Sequence, residues 1–110
     1  MRVIVMFDLP VTTSEERAAY GRFRKDLIKD GFLMMQESVY CKLAVNAVSA
    51  DLIKQRVNRI KPAKGVIQLM IITEKQYSQI DYLLGGPQII NLAVHDREVV
   101  VLLILRNISF

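Results

Sequence analysis

The sequence predicts an α+β domain of βαββαβ order, with an antiparallel sheet that carries both helices on one face. Three observations predict it: an apolar opening strand, two helical segments with one apolar stripe each, and short runs of strand periodicity placed between and after them. The 110 residues are the size of one domain, and a hydrophobic content of 52% is enough for a core.

The opening strand is Arg2-Val3-Ile4-Val5-Met6-Phe7, which runs into Asp8-Leu9-Pro10. Thr13 and Glu16 then have capping-box spacing. After them Ala19, Tyr20, Phe23 and Leu27 recur on one arc until Gly31 closes the helix. Next, Phe32-Leu33-Met34-Met35 is apolar and Gln36-Glu37-Ser38 polar, after which Val39, Cys41, Leu43 and Val45 alternate with Tyr40, Lys42, Ala44 and Asn46. Two strands joined by a tight or bulged connection fit that pattern.

Ser49 is placed to cap a second helix, in which Ala50, Ile53, Val57 and Ile60 share a stripe and which Pro62 stops. Lys64-Gly65 turns the chain into Val66-Ile67-Gln68-Leu69-Met70-Ile71-Ile72, a nearly continuous apolar run expected of a central strand buried on both faces. Thr73 and Gln76 repeat the capping-box spacing. A short helix through Tyr77 and Ile80 should follow and end before Gly85-Gly86-Pro87.

Residues 1–84 form the domain, and residues 85–110 form an extension. Within the extension, Val99-Val100-Val101-Leu102-Leu103-Ile104-Leu105 reads as a further strand, suited to pairing at the edge of a second copy. The sheet face without helices also needs a partner, because a small protein seldom leaves a large apolar patch in water. A homodimer is the expected assembly.

Fifteen basic residues against eleven acidic ones give a net charge of +4, so any basic patch is local and phosphate-bearing partners are favoured. The single Cys41 reads as a small buried hydrophobe. Together with the single His95 it is too little for a zinc site, which leaves an oxygen-ligated cation as the metal to consider. Asp8 breaks the opening apolar run too early for a signal peptide, and residues 99–105 are far short of the ~20 needed to span a bilayer. No membrane association is expected, and a cytoplasmic location is.

The candidate chemistry lies at the first strand and first helix. Asp8 sits at the end of a buried strand beside a basic helix, which suits a metal-assisted phosphodiester site or a phosphate-binding platform. The competing reading is an Asp-Leu-Pro turn in which Asp8 bonds its own backbone. On the helix, Arg17 and Arg24 share one flank, and Arg22, Lys25 and Lys29 form a second stripe. Arg17, Arg22, Arg24 and Lys25 are the expected nucleic-acid contacts, gripping phosphate without reading bases. Lys54, Arg56, Arg59 and Lys61 of the second helix read as solvated surface.

The opening Met1-Arg2-Val3-Ile4-Val5-Met6-Phe7-Asp8-Leu9-Pro10 carries a resemblance that later blocks extend. These are Glu16-Arg17 with Tyr20 and Arg22-Phe23-Arg24, then Gly31-Phe32-Leu33-Met34-Met35-Gln36 with Ser38-Val39-Tyr40, and Thr73-Glu74-Lys75-Gln76-Tyr77. Together they resemble the small CRISPR adaptation subunit, the second Cas family of CRISPR-associated endoribonucleases or endonucleases, in its type II form. The resemblance implies a ferredoxin-like homodimer that works with the CRISPR integrase in capturing spacer DNA. It makes Asp8 the counterpart of a strand-end aspartate brought near the two-fold axis, the catalytic and Mg2+-binding position of the family's nuclease reading. Members of the family also act as non-catalytic adaptors that hold two integrase dimers apart on duplex DNA. Gly21 inside the first helix and Glu37 in the turn depart from the family pattern.

An alternative is a ferredoxin-like nucleic-acid-binding or regulatory module outside CRISPR. Against it, the exposed aromatic pair of an RNA-reading sheet is not evident, with Tyr40 the only aromatic in the middle strands.

Overall fold

The computed structural model describes residues 1–87. The elements are β1 (Arg2–Asp8), α1 (Ser14–Lys29), β2 (Leu33–Gln36), β3 (Val39–Leu43), α2 (Ala47–Ile60), β4 (Val66–Ile72) and α3 (Glu74–Ser78). The four strands form one antiparallel sheet in the order β2-β3-β1-β4, which is the ferredoxin-like arrangement.

Local chemistry starts and stops each helix. Thr13 accepts from the Glu16 N–H while the Glu16 carboxylate accepts from the Thr13 N–H, so the capping box of α1 is complete. Gly31, at φ +101°, then turns the chain into β2. The second capping box, Thr73 with Gln76, opens α3. That helix ends at Ser78 instead of reaching Ile80. The cap of α2 is Asn46, three residues before the expected Ser49; its side chain accepts from the Ser49 N–H. Asparagine is as good a cap as serine, and starting the helix earlier adds a turn before Ala50.

One face of the sheet and two helices make the core. Val3, Val5 and Phe7 project from β1 against Phe23 and Leu27 of α1 and Ala50, Ile53 and Val57 of α2. Phe7 is the hub. Its ring meets Phe23 edge-on at 5.1 Å and Tyr20 at 5.9 Å, and lies stacked on Tyr40 at 5.7 Å between centroids. Truncating Phe23 to Ala would cost about 3–5 kcal/mol by the usual cavity penalty.

The opposite sheet face is mixed. Ile4 and its cross-strand neighbour Cys41 are buried, as expected for a free cysteine, whereas Leu43, Val66 and Met70 on the same face are exposed. The expectation of a central strand at 66–72 is overturned: β4 pairs only with β1 and forms an edge of the described sheet. Its apolar run includes Val66 and Met70, exposed on the face away from the helices, and Ile71, which is on the helix side and still 36% exposed at the sheet edge. β1 and β3 are the interior strands.

The two strands between the helices meet at a bulge between Met34 and Gln36, and Ser38 takes a left-handed conformation at φ 63° in their turn. The strand expected over residues 99–105 and nearly all of the extension at 85–110 lie outside the described residues. Among the described residues no helix is long and apolar enough to cross a membrane.

Candidate nucleic-acid interface

Asp8 occupies the last position of β1, opposite Val66 of β4, and is exposed. Its surroundings are tightly built. A Cβ on Gly65, which sits at φ +106°, would lie 2.8 Å from the Asp8 carbonyl oxygen and 2.7 Å from the Leu9 side chain, so the turn into β4 admits only glycine there without a shift. On the other edge of β1, the Phe7 N–H donates to the Ser38 carbonyl at 3.0 Å. Asp8 is thus fixed by backbone contacts on both sides of its strand.

Magnesium takes a near-octahedral oxygen shell, usually with one or two carboxylates and several waters. Among the described residues, no three His, Cys, Asp or Glu side chains come together as a metal cage. The described residues of one chain therefore do not by themselves build a resident metal site around Asp8.

The four expected basic contacts differ in what they touch. Arg17 turns back from α1 and donates through Nη1 to the carbonyls of Val11 and Thr12, at 3.2 and 2.8 Å, closing the loop after β1. Arg24 donates through Nε to the Tyr40 hydroxyl at 2.7 Å. That hydrogen bond is the largest of the influences that raise the Arg24 pKa, followed by the field of Tyr40 itself. Arg22 and Lys25 lie exposed on the outer side of α1, one turn apart, with Lys29 a further turn on. Spacing groups Arg17 with Arg24; the fold gives them separate partners.

Of the α2 cations expected to be solvated, Arg56 instead pairs with Asp30 at the end of α1, through Nε to Oδ1 at 2.8 Å and Nη2 to Oδ2 at 3.3 Å. Lys42 joins the same carboxylate at 3.5 Å. The partners lie 26 and 12 residues apart in the chain, so neither pairing has a local sequence signal.

The aromatic residues of the sheet, Phe7 and Tyr40, both belong to the buried helix-facing core. The described sheet therefore offers no aromatic platform for stacking bases. One residue overlooked by spacing is Tyr40 as a polar partner: alternation placed it on a strand face, and only the packing of α1 over β3 brings its hydroxyl to Arg24.

A family model described as CRISPR associated protein Cas2 matches residues 1–80. A relative from Ligilactobacillus salivarius (strain UCC118), named CRISPR-associated endoribonuclease Cas2, is 52% identical over 85 residues, covering 77% of this chain and 84% of the relative. One of the same name from Treponema denticola is 45% identical over 100 residues, or 91% of this chain and 99% of the relative. Among solved structures, Streptococcus pyogenes Cas2 at pH 6.5 superposes with a TM-score of 0.57 at 21% identity, covering 76% of this chain and 99% of that one. That likeness bears on the fold.

Proposed function

The chain belongs to the CRISPR-associated Cas2 family, and from that premise we propose that it acts in CRISPR adaptation as a homodimeric adaptor, holding duplex DNA for the integrase. The observation that carries the nucleic-acid part is the exposed stripe of Arg22, Lys25 and Lys29 along α1, with Arg24 beside it. Repeated in a second copy, this stripe gives a duplex two sets of phosphate contacts, which position it without reading its sequence. The exposed Leu43, Val66 and Met70 on the sheet face away from the helices support the homodimer.

The experiment is a salt series. Replacing Arg22 and Lys25 with Gln should weaken binding to two unrelated duplexes alike. It should also flatten the slope of log affinity against log salt by about 0.9 for each phosphate no longer neutralised. An unchanged slope in a folded variant removes α1 from the interface and turns attention to Lys54, Arg59 and Lys61.

A second reading, metal-dependent cleavage of a phosphodiester, is favoured by Asp8 and by the endoribonuclease name of the relatives. It requires the Asp8 of two copies to meet across a two-fold axis, giving Mg2+ a pair of carboxylates. Bound there, the ion would polarise phosphate and activate water. RNA and DNA are both open as substrates. The adaptor reading stands first because its basic stripe is complete within one chain, whereas the cleavage reading needs a second copy to complete its metal site.

A further inference from the structure

The Tyr40 side chain combines a core ring with a functional hydroxyl. Its ring is 1% exposed and stacks on Phe7 at an interplanar angle of 21°. Its oxygen is engaged by Arg24 Nε, which comes from a residue on the exposed side of α1. No hydrogen bond to Nη1 or Nη2 of Arg24 is made among the described residues. A guanidinium held through Nε keeps its two terminal amino groups available, side by side and in one plane, as a fork for phosphate oxygens.

We propose that Tyr40 is a positioning residue for phosphate: its buried hydroxyl holds Nε of Arg24 so that the terminal amino groups meet a nucleic-acid backbone already oriented. The proposal rests on Arg24 being one of the phosphate contacts of the adaptor reading. An exposed arginine ordinarily loses rotamer freedom when it grips a ligand, and that cost falls on affinity. In this protein the ordering is done on folding, by a ring that cannot move because Phe7 and the core enclose it. The second strut of the same region points the same way. Tyr20, one turn before Arg24 on α1, has its hydroxyl 3.3 Å from Ser38 Oγ in the β2–β3 turn, so α1 is held to the hairpin one turn from the guanidinium.

The test uses the full chain and the same two duplexes across a salt series, with Y40F, R24A, R24K and the double variant Y40F/R24A. Tyr40→Phe keeps the ring and removes only the hydroxyl. We expect R24A to weaken binding about tenfold and Y40F about three- to fivefold, on the scale of charge-assisted hydrogen bonds. In the R24A background Y40F should have no further effect on binding, and its effect on melting temperature should shrink as well, because the hydroxyl has already lost its partner there. R24K, which keeps the charge but has no Nε–H to give Tyr40 while its single ammonium grips phosphate, should fall near Y40F.

If Y40F leaves binding unchanged, or weakens it equally with and without Arg24, Tyr40 acts only through packing and the proposal is overturned. If R24A itself binds like wild type, the reading of Arg24 as a phosphate contact fails first, and the two failures are told apart. Should Y40F not fold, R24K decides alone: wild-type affinity in that variant overturns the proposal.

Discussion

Arg2 and Glu74, 72 residues apart, are joined by two hydrogen bonds: Arg2 Nε donates to Oε2 at 2.8 Å and to Oε1 at 3.1 Å. The same guanidinium lies 4.2 Å over the ring of Tyr77. The start of β1 thereby clamps α3. Burial works against the charge on Arg2, but the Glu74 hydrogen bond and the surrounding field outweigh it and its pKa is raised.

Arg2→Ala is expected to loosen α3 locally. An exposed ion pair is worth about 0–1 kcal/mol and a cation–π contact about 0.5–1 kcal/mol, so the loss should be about 1 kcal/mol. Amide hydrogen exchange across Glu74–Ser78 should quicken roughly fivefold relative to wild type, with the core strands little changed. Equal acceleration everywhere would mean that the clamp supports the whole domain.

Gly21 and Gly65 should respond to alanine with opposite signs. A Cβ on Gly21 meets nothing within 4 Å in the middle of α1, so Gly21→Ala should stabilise by about 1 kcal/mol, the helix-propensity difference. Gly65→Ala places its Cβ against the Asp8 backbone at a positive φ and should destabilise by about 1–3 kcal/mol. Thermal melting of the two variants side by side checks both signs.

Glu16 ties the start of α1 to pH. Its carboxylate accepts from the Thr13 N–H at 2.9 Å and the Thr12 N–H at 3.0 Å, and the Thr13 bond is the main cause of its lowered pKa. Because the folded value lies below the unfolded one, the contribution is fully present above the unfolded pKa. It is lost as pH falls through the folded value. Glu16→Gln keeps an oxygen to accept those bonds and should flatten the acid limb of stability, followed by denaturant midpoints from neutral into acid pH. An acid limb identical to wild type would assign the loss to other carboxylates.

Asp8→Asn separates the two readings of function. Metal-dependent cleavage, if intrinsic, should disappear, while duplex binding and integration with the integrase should persist, because phosphate contacts by α1 need no strand-end carboxylate. Collapse of integration in a folded, dimeric Asp8→Asn would reverse the order of the two readings. Equal cleavage by wild type and variant would identify a contaminating nuclease. Sedimentation of the wild type gives the prerequisite: a stable monomer at low micromolar concentration would deny the site its second carboxylate.

Much of this protein is legible in the chain alone, and the legible part is local. Capping boxes at Thr13 and Thr73 act over three residues, and the stripe of Ala50, Ile53 and Val57 repeats within two turns, so spacing suffices to place α1, the body of α2 though not its first turn, and the start of α3. The ordered blocks from Met1 to Tyr77 likewise carry the family. Tertiary structure decided what depends on neighbours distant in sequence. The apolar run of β4 fits a sheet centre as well as an edge that leaves Val66 and Met70 exposed, and it is the pairing, with β1 alone among the described residues, that makes it an edge of the described sheet. The arginines show the same division: their types and spacing made α1 a basic helix, but Arg17 is taken by loop carbonyls, Arg24 by Tyr40 and Arg56 by Asp30, while Arg22 and Lys25 remain exposed. A charge pattern states which groups exist, and the bonds that occupy them form only when folding brings their partners within about 3 Å.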